Sequence, residues 1–306
     1  MHVAVTGSTG LIGSALVRLL VAGGHTVTRL TRSEPRGSSG SVREARWDPA
    51  AGTVDAGALA GTDALVHLAG KAISSGRWTR KVKREIRESR VRGTGLLAET
   101  MAGMADGPKV LVSASGIHYY GDRGDEVLTE QSRPGEGFLA EVCQAWERAA
   151  DPARASGLRV VHVRTGPAQT TAGGSLPRQL PLFRLGLGGR FGSGRQWWSW
   201  IALDDVVGIY RHALVTDGLE GAVNATAPNP VTNAEFTTTL ARVLGRPALA
   251  PVPKLGPRLV LGEMAEELLF SSIRVQPEAP LARGYEFRWP ELEPTLRHLL
   301  NRPAAA

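Results

Sequence analysis

The chain has 306 residues, 36 Lys+Arg against 29 Asp+Glu for a formal charge of +7, and one cysteine, Cys143. A single cysteine excludes an internal disulfide and a cysteine-built metal site, and no His/Cys/Asp group has zinc spacing. The first residues read as a strand with no basic leader, and no apolar run approaches membrane-spanning length, so a cytoplasmic protein without a membrane partner is expected.

The chain opens with a five-residue apolar run, Met1 to Val5, followed by Thr6-Gly-Ser-Thr-Gly-Leu-Ile-Gly13 and an amphipathic segment at 11–23. A strand that ends in glycines at 7, 10 and 13 and then enters a helix is the layout of a dinucleotide site: the turn brings backbone close to a pyrophosphate and the helix start faces it. Further apolar runs at 25–31, 64–69, 109–114 and 158–164 read as buried parallel strands, and helical patterns at 80–104 and 137–155 separate the later ones. This alternation predicts an α/β fold, a Rossmann doubly wound parallel sheet. Basic residues cluster between Arg77 and Arg92 with Glu85 and Glu88 interspersed, which reads as a solvated helix face, so no nucleic-acid partner is expected.

Regular periodicity lapses from Gly166 to Gly194, where Pro, Gly and Ser are dense. The expected division is a nucleotide-binding domain over 1–166 and a smaller C-terminal substrate lobe over 167–306, with a segment near 200–226 returning to the sheet. Within it, Asp204 to Val215 reads as a helix with Asp204-Asp205 at its N-cap, and Asn233 to Leu244 as a helix capped by Asn233.

The second strand ends in Arg32-Ser33 with no acid until Glu34. An NAD site usually places an acid there for the ribose hydroxyls, whereas arginine suits the extra phosphate of NADP(H), so Arg32 favours NADP(H). Trp47-Asp48 reads equally as an adenine neighbour or an ordinary strand end.

The fingerprint, His67-Leu-Ala-Gly70, Val91-Arg-Gly-Thr94, Ser113-Ala-Ser115 through Tyr120-Gly121, and Arg164-Thr-Gly166 resemble the extended short-chain dehydrogenase/reductases over nearly the full length. Arg77-Trp78-Thr79, Tyr119-Tyr120-Gly121-Asp122, Phe138-Leu-Ala-Glu-Val-Cys143 with Trp146-Glu147, and Gln196-Trp-Trp-Ser-Trp200 look like an atypical, nucleoside-diphosphate-sugar epimerase-like or cell-division-inhibitor-like branch. The resemblance implies cofactor contacts at Gly7, Thr9, Gly10, Leu11, Ile12, Gly13, Arg32, Leu68, Ala69, Gly70, Ser113 and Arg164. It also implies a substrate side near Lys71, Trp78, Trp198 and Trp200. Lys71 stands where the branch more often has an acid. Gly188, Gly192 and Gly194 suggest a flexible loop feeding the Trp197, Trp198 and Trp200 segment, whose aromatics either wall a pocket or fill the seam between lobes.

The parent family moves its proton with a tyrosine and a lysine four residues later. Four residues beyond the tyrosines at 119, 120, 210 and 285 stand Arg123, Gly124, Leu214 and Trp289, so that pair is absent. Ser115 matches the family serine that hydrogen-bonds a substrate carbonyl, and Tyr120 and His118 are the candidate proton carriers. Glu141 is a candidate base, and Cys143 reads as a buried helix residue. The expected function is an NADP(H)-dependent oxidoreductase or epimerase-like enzyme acting on a small carbonyl, imine or sugar-nucleotide substrate, as a monomer or homodimer. The alternative is a non-catalytic NADP(H)-binding redox sensor.

Overall fold

The computed structural model describes residues 1–74, 76–248 and 251–303. Eight strands form the main sheet: β1 (His2–Thr6), β2 (Thr26–Thr31), β3 (Val42–Asp48), β4 (Thr53–Val54), β5 (Ala64–His67), β6 (Val110–Gly116), β7 (Arg159–Thr165) and β8 (Gly221–Ala225). Their order across the sheet is β8-β7-β6-β5-β1-β2-β3-β4, and every pairing is parallel except the edge hairpin of β3 with β4. The protein is thus an α/β fold built on a Rossmann-like sheet. The chain winds outward in one direction from β1 and in the other from β5, so the topological switch falls between these two central strands. Their carboxyl ends mark the crevice in which such folds bind ligands.

Only the end of β3, at Trp47-Asp48, was offered as a strand end; the rest was not expected. Its sequence, Val42-Arg-Glu-Ala-Arg-Trp-Asp48, is mostly charged, and only Ala45 and Trp47 are buried, with Val42 half-buried against the core. Alternation of buried and solvated side chains makes it a strand where hydropathy alone does not.

Helices cover both faces. Val3, Val5, Val66, Val112 and Val163 pack against α1 (Leu11–Ala22) and, further along the chain, α6 (Leu203–Val215). On the other face Ala4, Leu65, Leu111 and Val160 pack against α2 (Arg80–Ala102) and α4 (Asp151–Ala155). The pattern over 137–155 resolves into two helices, α3 (Phe138–Arg148) and α4, because Pro152 opens the second and has no amide with which to continue the first.

Outside the sheet, α5 (Leu176–Arg184), α7 (Asn233–Leu244) and the helix Leu292–Leu299 enclose a second core around Trp200 and Phe236. Two expected caps are corrected. Thr232, not Asn233, caps α7 through a capping box with Glu235, while Asn233 is buried and its Oδ1 accepts from the Phe191 amide at 2.7 Å. α6 begins at Leu203 without a side-chain cap, and Asp205 instead accepts from the Arg288 and Trp289 amides at 2.8 and 2.9 Å, tying the C-terminal segment to the sheet domain. Among the described residues no helix is long and apolar enough to cross a membrane.

Candidate functional site

The turn after β1 is shaped by what glycine lacks. Gly7 has φ +63°, and a Cβ there would sit 2.8 Å from the Ala69 amide nitrogen; at Gly13 it would lie 2.2 Å from Gly7 O. Both positions therefore hold the turn and helix together. Gly10 is less crowded, with its nearest neighbour, Gly7 O, at 3.2 Å, and it is exposed with Thr9 at the crevice. Gly10 caps α1 with no side chain, and the first turn carries no acid. The opening amides, Leu11, Ile12 and Gly13, lie ahead of any intrahelical acceptor, so the positive end of α1 is left for an external anion.

The neighbouring strand end is locked to this turn. Thr6 Oγ1 accepts from the Leu68 and Ala69 amides at 3.1 and 3.3 Å and lies 2.7 Å from His67 Nδ1. With its lone pairs engaged by amides, the hydroxyl donates to Nδ1, which makes His67 the Nε2–H tautomer. Burial holds this imidazole neutral, its pKa lowered to about 3. Gly70, next in the chain, is exposed beside the Arg90 side chain. At the end of β2, Arg32 is exposed, and Arg46 of β3 stands opposite Thr31 while pairing with Glu34.

A second cluster lies behind Ser115, at the end of β6. Ser115 Oγ donates to Glu147 Oε1 at 2.7 Å, and Arg164 grips both Glu147 oxygens at 2.8 Å through Nε and Nη2. Arg164 Nη1 also donates to the Tyr120 hydroxyl at 3.0 Å, which itself donates to Asn224 Oδ1 at 2.7 Å. Tyr120 is fully buried, and burial raises its phenol to about 12. Cys143, one turn before Glu147, neighbours Ser115 and Gly116, and burial pushes its thiol up to about 11. Arg164 is thus committed to Glu147, Tyr120 and the Tyr119 ring, and Ser113 is buried with its hydroxyl on Ala114 O.

His118 points away from this cluster into a cavity of about 260 Å³ between the sheet domain and the C-terminal segment. Asp122, Glu136 and Lys254 stand at its exposed edge, with Glu266 and Glu267 half-buried and Phe270 and Ile273 buried. Desolvation lowers His118 to about 4, leaving it neutral near pH 7. Glu267 accepts from the Phe138 and Leu139 amides at 2.8 and 2.9 Å and so caps α3 from a distant part of the chain. Burial raises its carboxyl from the ordinary value, against the pull of those amides.

The remaining predicted residues are dispersed. Lys71 pairs with Glu85 at 2.8 Å. Trp78 is buried against Phe138 with its indole N–H on Ile73 O, and Trp198 packs between Phe191 and Phe236. Trp200 is fully buried in the second core, its indole donating to Asn229 O at 3.2 Å. Glu141 is exposed on α3.

A family model described as the NAD dependent epimerase/dehydratase family matches residues 3–225. The chain belongs to that family. A second model, a domain of unknown function (DUF1731), matches residues 252–299. An epimerase family protein of Mycobacterium tuberculosis is 42% identical over 301 residues, 98% of each chain. The crystal structure of human epimerase family protein SDR39U1 (isoform 2) with NADPH superposes with TM-score 0.87 at 35% identity, covering 98% of this chain and 99% of that one. A nucleoside-diphosphate sugar epimerase from Corynebacterium glutamicum gives TM-score 0.80 at 41% identity over 98% of this chain and 58% of that one.

Within this epimerase/dehydratase member, Glu147 and Thr6 stand in recognised motifs but received no role from the sequence, and Asn224 and Glu267 were not singled out. Glu147 carried a readable signal: it lies four residues after Cys143 on one helix face, the spacing at which the Tyr–Lys pair was sought. Asn224 and Glu267 had none, since they meet Tyr120 and α3 only through the fold.

Proposed function

We propose that the protein is an NADP(H)-dependent oxidoreductase or epimerase-like enzyme whose small-molecule substrate occupies the cavity beside His118. The observation that carries this reading is the uncapped start of α1, set at the topological switch point against a strand end locked by Thr6 and His67. Free amides at a helix N-terminus suit a pyrophosphate. Gly7, Thr9, Gly10, Leu11, Ile12 and Gly13 would line it, Leu68, Ala69 and Gly70 would border the dinucleotide, and Arg32 with Arg46 would meet the additional phosphate of NADP(H). The NADPH in the human SDR39U1 structure supports the choice of cofactor. When bound, NADPH supplies a hydride.

The chain's own groups then shape the site. His118 would bound the cavity as a neutral imidazole, and Ser115, matched by resemblance to the family's carbonyl-binding serine, is fixed by Glu147 and Arg164 at the end of β6. Tyr120 is a poor proton donor because both sides of its hydroxyl are occupied in a buried network. That commitment is the one observation favouring a non-catalytic redox sensor; the cavity beside His118, which a sensor does not need, weighs against it.

Calorimetry with NADPH and NADH tests the cofactor reading. The wild-type protein is expected to bind NADPH, and Gly10→Leu to lose that binding by excluding the pyrophosphate; because its Cβ would also meet Gly7 O at 3.2 Å, the melting temperature is followed alongside to separate lost binding from a disturbed turn. Unchanged affinity in the variant would remove the assignment.

A further inference from the structure

We propose that Arg90 is the cation that faces the nicotinamide half of the cofactor, and that it makes the site prefer the reduced, uncharged ring over the oxidised, positively charged one. This rests on the NADP(H) reading above.

The sheet order says where that half must lie. Along β6-β5-β1-β2, Arg32 stands at the end of β2 and the free amides of α1 follow β1. A dinucleotide with its adenosine phosphate at Arg32 and its pyrophosphate on α1 therefore runs on over the ends of β5 and β6. Arg90 sits there. It projects from α2 beside exposed Gly70, just beyond β5, where a Cβ would lie 3.3 Å from its Cζ. Its guanidinium stands 4.9 Å from the Trp146 ring centre on α3. Cys143 of the same helix reaches the end of β6, where a Cβ on Gly116 would lie 3.7 Å from its Sγ.

The guanidinium is only half engaged. Nη1 donates to Lys71 O at 2.9 Å and to Ile86 O at 3.0 Å, which anchors the side chain. Among the described residues Nε and Nη2 have no acceptor, and neither is sealed from solvent. Among the same residues no carboxylate pairs with Arg90: Glu85 is taken by Lys71 and Glu147 by Arg164. Burial lowers the Arg90 pKa, and the neighbour pulling the other way is the Cys143 thiol, itself neutral because burial pushes it up to about 11. The local balance is one uncompensated positive charge, partly desolvated and fixed by backbone carbonyls. Cys143 and Glu147 hold the spacing at which a Tyr–Lys pair would stand, so the cation that a lysine would bring to this end of the sheet comes from α2 instead.

Hydride loss turns the nicotinamide ring from neutral to cationic. A fixed cation beside it opposes that change, so the site holds NADPH and releases NADP⁺, while the free Nε–Nη2 edge donates to the adjoining ribose oxygens.

Calorimetry with NADPH, NADP⁺ and 2′,5′-ADP, which lacks the nicotinamide half, tests this. The wild-type protein is expected to bind NADPH about tenfold more tightly than NADP⁺, the scale of a like-charge interaction across several ångströms near a protein surface. Arg90→Gln should bring the two affinities within about twofold by removing that interaction. It should leave 2′,5′-ADP unchanged, and Arg90→Lys, which keeps the charge, should preserve most of the preference. Equal wild-type affinities for NADPH and NADP⁺ would overturn the proposal even if Arg90→Gln fails to fold. So would equal losses of NADPH and NADP⁺ in Arg90→Gln, since the guanidinium would then hold a group that does not sense the ring's charge. If neither coenzyme binds, the proposed function falls and this inference with it; if both bind alike, only the inference falls.

Discussion

The turn after β1 and the cluster behind Ser115 stand at the carboxyl ends of strands in the same sheet, yet they treat their polar groups in opposite ways. The turn leaves helix amides free and spends side chains only on holding itself in shape, through Thr6, His67 and two crowded glycines. The cluster leaves almost nothing free: Glu147, Arg164, Tyr120 and Asn224 satisfy one another in the interior. Uncommitted polar groups facing a crevice are available to a ligand, whereas a fully paired buried network mainly positions what lies beside it.

If that contrast holds, disturbing the cluster should be felt first as instability. Glu147→Ala leaves Arg164 as an uncompensated buried charge, and urea denaturation should show a loss of about 3–5 kcal/mol. A loss below 1 kcal/mol would mean that the pair is effectively solvated. Tyr120→Phe removes one hydroxyl and strands Asn224 Oδ1 and an Arg164 N–H, for which about 1–3 kcal/mol is expected. Were Tyr120 the proton donor, the same variant would in addition reduce single-turnover hydride transfer while leaving cofactor affinity alone.

Acid should sharpen the comparison next. His67 is lowered to about 3, and His118 and His162 to about 4, all by desolvation. Below the ordinary histidine value of about 6.5 the unfolded chain binds more protons than the native one. Stability contributed by the three neutral imidazoles is therefore complete above that pH and lost as pH falls toward 4. Chemical denaturation between pH 7 and 4.5 should show it, and a flat profile would mean that the imidazoles are hydrated. The smallest effect belongs to the rim of the crevice: Arg32→Ala should weaken NADPH by about tenfold, the value of one charge-assisted bond, and leave NADH nearly unaffected. Equal losses for both coenzymes would deny Arg32 a phosphate role.

The two regions also differ in how far they could be read from residues alone. The turn is largely local: strand, three glycines and helix start follow within thirteen residues, and Gly10 and Gly13 are crowded by Gly7 itself, whereas the close approach of Leu68 and Ala69 to Gly7 comes from the neighbouring strand end. The cluster is assembled from residues 115, 120, 147, 164 and 224, on four elements and the short turn that follows β6. Spacing could suggest that Cys143 and Glu147 share a helix face, but not that Ser115 would hand its proton to Glu147. Most of charged β3 went unrecognised for a related reason, since its strand character depends on the partner Thr31 places beside it.

By itself, the order of residues determined the α/β winding, the tight first turn and the absence of a Tyr–Lys pair, because each depends on neighbours within a few positions. Tertiary structure decided which side chains remain free. Only packing could seat Trp200 in the second core, hold Arg164 on Glu147 and bring Glu267 onto the start of α3, because burial and hydrogen-bond partners are set by elements far apart in the chain.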